Sequence, residues 1–191
     1  MQFLLPFLFL FLFSEVNAQL KTNIYWTQQT SYLETEVIYY GQHRHLLWKD
    51  FLGKPPAESP AAAITASGFG YKADIKRVEN EGQLNVAVYC FFNKLKSWVK
   101  TDKNTTYILN HEQHHFDISF IAANIFMNKL KTASFTFDNY NTTLSTLYTE
   151  SMHYMNKLQK DYDGQTKNGQ LREEQTKWDT NLTERLQEFI K

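Results

Sequence analysis

His111, Glu112 and His115 stand in the pattern His-Glu-x-x-His within residues 107–120. On a helix, side chains four residues apart lie on one face, a turn from each other. Both imidazoles can then reach one metal ion while the glutamate works on a water beside it. Chance accounts poorly for the triplet, which at this chain's His and Glu frequencies is expected in about one such sequence in a hundred. Projected as a helix, residues 108–130 place Ile108, His111, His115, Ile118, Ala122 and Ile125 on one stripe, with Leu109, Phe116, Phe120, Ala123, Met127 and Leu130 beside it. The two histidines and Glu112 therefore fall inside an apolar arc. Buried without partners they would be costly, and a divalent cation would satisfy all three; the plainer alternative is a buried helix whose histidines bond backbone carbonyls. His114 projects to the edge of the arc and Asp117 to the side opposite His115, so neither is a natural third ligand from this helix.

The elements that must position this helix are legible around it. Thr101, Asp102 and Asn104 are candidate N-caps, and the helix is expected to run to Leu130. Upstream, residues 64–78 and 83–92 read as two strands joined by Glu79-Asn80-Glu81-Gly82, a hairpin sequence. Gly68 and Gly70 point to a bulge or a close backbone approach in the first of them. Residues 34–40 read as a further strand, after a polar start, and residues 49–60 as a turn-rich segment. His43 and His45 alternate at strand spacing, as surface histidines or as a second metal pair. Downstream, a helix is expected over 142–160, then a loop over 161–169 from its Gly and Asn content, then a last helix over 170–190 carrying Trp178, Leu182 and Leu186. His153 points away from the apolar stripe of its helix.

Length and composition set the frame. At 191 residues and 42% hydrophobic, the chain is long enough for one domain with a real core. Its 20 basic and 20 acidic side chains are evenly mixed, which leaves no electrostatic footprint for nucleic acid or an anionic membrane. Residues 3–13 are almost all Phe and Leu, and small residues follow up to Ala18, the arrangement of an export signal cleaved after residue 18. With only Gln2 and the start-site amine ahead of it, the alternative is an uncleaved N-terminal anchor. The expected organisation is a signal peptide over 1–18 and a single domain over 19–191, secreted or periplasmic. The lone Cys90 can form no internal disulfide, so an exported domain of this kind must rest on its core, or on its core and a metal.

Several phrases taken together resemble a bacterial family. They are Trp48-Lys-Asp-Phe-Leu-Gly-Lys-Pro-Pro56, Ala62-Ala-Ile-Thr65 with Gly68 and Tyr71, Ser97-Trp98-Val99, the stretch from Leu109 to Ile118, Tyr162-Asp163 with Thr166 and Gly169, and Gln175 with Trp178. The family is catalogued as Domain of Unknown Function 922 and described as secreted zinc-dependent proteases. The resemblance covers most of the chain after residue 18, in the same order. It implies that His111 and His115 are zinc ligands and Glu112 the general base. The family's pattern has a histidine where Asn168 stands and an acidic residue where Phe120 stands, so the third ligand must come from elsewhere or the metal is weakly held.

A catalytic zinc normally takes three protein ligands and leaves one position open. Asp163 is the first candidate for the third ligand, from its place in the family-like loop, and Glu150 the second, by analogy with zincins whose third ligand is a glutamate on a later helix. Asp163 as an ordinary Asx-turn or helix-terminal acid is the simpler alternative. Tyr154 or Tyr162 would be placed to donate to an oxyanion, unless they are core residues. The expectation is an α+β, zincin-like single domain, with a small mixed or antiparallel sheet packed on a long active-site helix and further C-terminal helices. It would be a secreted zinc metallopeptidase acting on a peptide or protein substrate. Two other readings stay open: a non-catalytic secreted binding protein with an incomplete site, and a purely structural zinc site.

Overall fold

The structure is a computed structural model that describes residues 19–41, 45–78 and 81–189. The export-signal reading of 1–18, His43 and the first two residues of the hairpin turn lie outside the described residues. Strand β5 (Glu81–Asn93) is the axis of a mixed sheet. β4 (Ser67–Val78) pairs with it antiparallel along its whole length, from Ser67↔Phe92 to Val78↔Glu81. On the other edge of β5, β1 (Lys21–Trp26) runs parallel beside residues 83–88, and the short β2 (Val37–Tyr39) runs antiparallel beside residues 91–93. A second ladder joins β3 (Ala63–Ile64) to β6 (Trp98–Val99). The unbroken register of β4 against β5 rules out a bulge at Gly68 or Gly70. Close approach is what Gly70 provides, because a Cβ there would stand 2.7 Å from the Tyr89 ring.

Leu84, Val86, Val88, Cys90 and Phe92 alternate along β5 and are all buried. Their period of two aims one face of the sheet at helix α1 (Thr106–Thr132). Thr105 caps α1, its side chain accepting from the Ile108 amide at 3.2 Å, one residue beyond the nearest expected cap. Helices α2 (Tyr140–Thr166) and α3 (Arg172–Phe189) cover the other side of α1. Enclosed on both sides, α1 has almost no solvent face through its middle turns, so even Asp117 is buried. A wheel with one wet and one dry side describes an amphipathic surface helix, which α1 is not.

Two sequence expectations are corrected here. The polar start is β1, which pairs with a strand some sixty residues away and shows mostly exposed side chains, so no alternation marked it. The loop expected over 161–169 is helical as far as Thr166, and Gly164 sits inside α2 with open space around it. The chain turns only afterwards, at Lys167, Asn168 and Gly169, three consecutive residues at positive φ. Among the described residues no helix is long and apolar enough to cross a membrane.

Candidate metal centre

His111 and His115 project from α1 toward the last turns of α2, where Asp163 faces them. Asp163 Oδ1 lies 3.3 Å from His111 Nε2 and 3.1 Å from His115 Nε2, and the two Nε2 atoms are 3.2 Å apart. These residues form a group whose ligand atoms could hold a metal ion. A tetrahedral zinc with bonds of about 2.0–2.1 Å has ligand atoms separated by about 3.3–3.4 Å, so the triangle is already close to one face of that tetrahedron.

The partners of the histidines fix which nitrogens face inward. Gln175 on α3 presents Oε1 to His111 Nδ1 at 3.0 Å while its Nε2 donates to Asp179 Oδ1 at 2.8 Å. A carboxylate only accepts, so the amide nitrogen must face Asp179 and the amide oxygen must face His111. That orientation of the amide suits a proton on Nδ1 of His111 and a lone pair on Nε2. Gln159 on α2 does the same for His115: its Nε2 donates to the His115 carbonyl at 2.9 Å and its Oε1 accepts from Nδ1. Three electron-rich atoms thus converge with no hydrogen between them when both rings are neutral. Only a cation, a proton or a metal ion, relieves that arrangement.

The electrostatics agree. Burial alone would raise the Asp163 pKa, but hydrogen bonds to His111 and His115 and their charges outweigh it and hold the carboxyl well below its usual range. Burial would lower that of His115, and the Asp163 hydrogen bond with the charges of Glu112 and Asp163 reverse the sign and push it up. Glu112 is 4% exposed, and its Oε2 is buried with no hydrogen-bond partner. Buried polar atoms in folded proteins are nearly always paired, so an orphan carboxylate oxygen next to His111 in the chain marks a place built for a further group. The His, His and Asp donors present fit a divalent cation such as zinc.

The other sequence candidates fall elsewhere. Glu150 is exposed and pairs with Lys129 at 2.6 Å, thirteen residues and about 20 Å of helix away from Asp163. It lies outside the group formed by His111, His115 and Asp163. Asn168 is exposed in the left-handed turn, which asparagine tolerates, and its backbone amide donates to the Asp163 carbonyl at 2.8 Å. Phe120 stacks on Tyr40 at 4.0 Å and on Trp26 at 5.3 Å, so its difference from the family pattern touches an aromatic stack rather than the metal group. Tyr162 does not wait for an oxyanion: its ring stacks on His111 at 4.6 Å and its hydroxyl accepts from Gln175 Nε2 at 2.6 Å. Tyr154 accepts from Arg185 at 2.7 Å. His45 is exposed outside any strand and His153 is exposed on α2.

Sequence reasoning missed Gln159 as a positioning group and gave Gln175 no role of its own. Gln175 had a signal, because it continues the stripe of Trp178, Leu182 and Leu186 and is a polar residue on an apolar line. Gly169 also belongs to the site: a Cβ there would lie 3.2 Å from His111 Nδ1, and the Tyr107 hydroxyl ties the Gly169 carbonyl to the first turn of α1 at 2.6 Å. Compared with family models, with curated proteins and with solved structures, the chain matches none.

Proposed function

We propose that this chain is a zinc-dependent metallopeptidase of zincin-like build, with His111, His115 and Asp163 as metal ligands and Glu112 as general base. The orphan oxygen of Glu112 carries the reading. A structural metal site asks only for ligands, whereas a buried carboxylate oxygen left without a donor beside an incomplete coordination shell is the equipment of proton transfer. Zinc bound by this group would supply an acidified water, with a pKa near about 7, and polarise a substrate carbonyl. Glu112 takes the proton released as the carbonyl is attacked and passes it to the leaving amine. Gln159 and Gln175 keep both imidazoles turned inward throughout. Asp163 is the most exposed member of the group, at 39% of its side chain, and leaves the approach to the site on the α2 side.

The two departures from the Domain of Unknown Function 922 pattern, Asn168 and Phe120, favour a non-catalytic alternative; against it stands the triangle of His111, His115 and Asp163, which is formed without either residue. Kinship with that family, export through residues 1–18, a secreted or periplasmic location and a peptide or protein substrate are parts of the same proposal. The test uses purified protein loaded with zinc and an unstructured protein as substrate. Cleavage should stop with a chelator and fall by about 10²–10⁴-fold in Glu112→Gln, which retains its zinc. Zinc-loaded wild type that cleaves nothing while melting far lower after chelation would instead establish a structural metal site.

A further inference from the structure

Behind His111 the polar network does not end at Gln175. Asp179 Oδ1 also accepts from Asn110 Nδ2 at 3.0 Å and faces His114 Nε2 at 2.9 Å. His114 Nδ1 faces Asp117 Oδ2 at 2.9 Å, and Asp117 Oδ1 accepts from Tyr40 at 2.9 Å and from Gln113 at 2.8 Å. Gln113 Oε1 in turn accepts from the Leu46 amide at 2.8 Å. The chain of contacts crosses α1 from α3 to the segments following β2, and most of its members are buried. Buried polar networks of this extent cost desolvation, and apolar side chains of the same shape would hold these elements together at least as well. The contrast with His115 is informative, because there one glutamine closes on its own histidine with no further support.

We propose that Gln175, oriented by Asp179 and Tyr162, is a positioning residue that sets the Nδ1-protonated form of His111. On this view the Asn110, His114, Asp117 and Tyr40 network exists to hold Asp179 in place. An amide can present either end, and nothing at His111 itself decides which. Asp179 decides, since a carboxylate beside the amide admits only the nitrogen. Were the amide reversed, Gln175 would donate to Nδ1, the proton of His111 would move to Nε2, and that ring would no longer be a ligand. The inference rests on the metal-site reading for its purpose, though not for its geometry.

The experiment has two arms that separate these. In metal-free wild-type protein, long-range ¹⁵N–¹H spectra should show His111 with a proton on Nδ1, whether or not a further proton is shared at Nε2 with His115 and Asp163. Finding Nδ1 without a proton overturns the proposal. In the second arm, zinc affinity is measured by competition with a chromophoric chelator for wild type, Gln175→Met and Asp179→Ala. Gln175→Met should bind about 10–100-fold more weakly, with a mixed or reversed His111 tautomer, and Asp179→Ala should show a smaller loss in the same direction. Asp179 is partly exposed, so its variant serves if Gln175→Met fails to fold. Wild-type affinity together with an unchanged tautomer in a folded variant would show that the network is structural only. If wild type takes up no zinc, the metal reading fails, and the tautomer spectra still decide the role of Gln175.

Discussion

The two halves of α1 both lie largely in the interior and do opposite work. From Ile118 to Leu130 the helix presents Ile118, Ile121, Ala122, Ala123, Phe126 and Leu130, each of them 0–1% exposed, to the sheet and to α2. One turn earlier, Asn110 to Asp117 brings five ionisable or amide side chains into the same interior: His111, Glu112, Gln113, His114 and Asp117. The apolar half is expected to supply stability, and the polar half to draw on it. What the pair teaches is that burial by itself says nothing about role; the test is whether a buried group is satisfied by the protein. In the apolar half nothing is left over, whereas in the polar half one carboxylate oxygen and a triangle of acceptors are.

Substitutions in the two halves should act differently. Phe126 packs against Phe69, Tyr71 and Tyr148 with ring centroids 5.4–5.9 Å apart, and Phe126→Ala should cost about 3–5 kcal/mol in equilibrium denaturation. Its folded fraction should bind zinc like wild type; a loss of affinity would mean the halves are not separable. Glu112→Gln should have the opposite sign. Removing the charge of a buried carboxylate that has one oxygen unpaired should stabilise metal-free protein by about 1–3 kcal/mol while hydrolysis is lost. A destabilised Glu112→Gln would show that the attraction of Glu112 to His115 outweighs the cost of that oxygen. Gly169→Ala places a methyl group against the His111 ring at a residue with φ of 76°. It should cost about 1–2 kcal/mol and weaken zinc binding by displacing the ring. Glu150→Gln removes only an exposed pair with Lys129, so both stability and affinity should stay within about 0.5 kcal/mol of wild type.

What the sequence showed of this arrangement follows from how far each signal travels along the chain. The His-Glu-x-x-His spacing is local, so the candidate ligand pair and the candidate base stand out at once, and so does the β4–β5 hairpin, whose partners are neighbours. β1 was not, because a parallel strand borrows its partner from a distant segment and need carry no alternation of its own. Asp163 was named as a loop residue. It acts as a helix residue because Gly164 is tolerated within α2 and the left-handed turn at residues 167–169 ends the helix instead. Gln159 and Gln175 carry no spacing signature relative to the histidines they orient. An amide in a sequence is a surface residue by default, and only its burial and the acceptor behind it reveal otherwise.

On the proposed reading, His111, His115 and Asp163 bind one zinc ion with Glu112 poised beside it. Calorimetric titration of metal-free protein with zinc measures it most directly. About one ion per chain should bind with a dissociation constant below about 1 μM, and Asp163→Ala should weaken that binding by more than about 100-fold, beyond the 10–100-fold typical of groups behind the ligands. Protein that takes up no zinc at micromolar concentration, or an Asp163→Ala variant that binds as tightly as wild type, would contradict it.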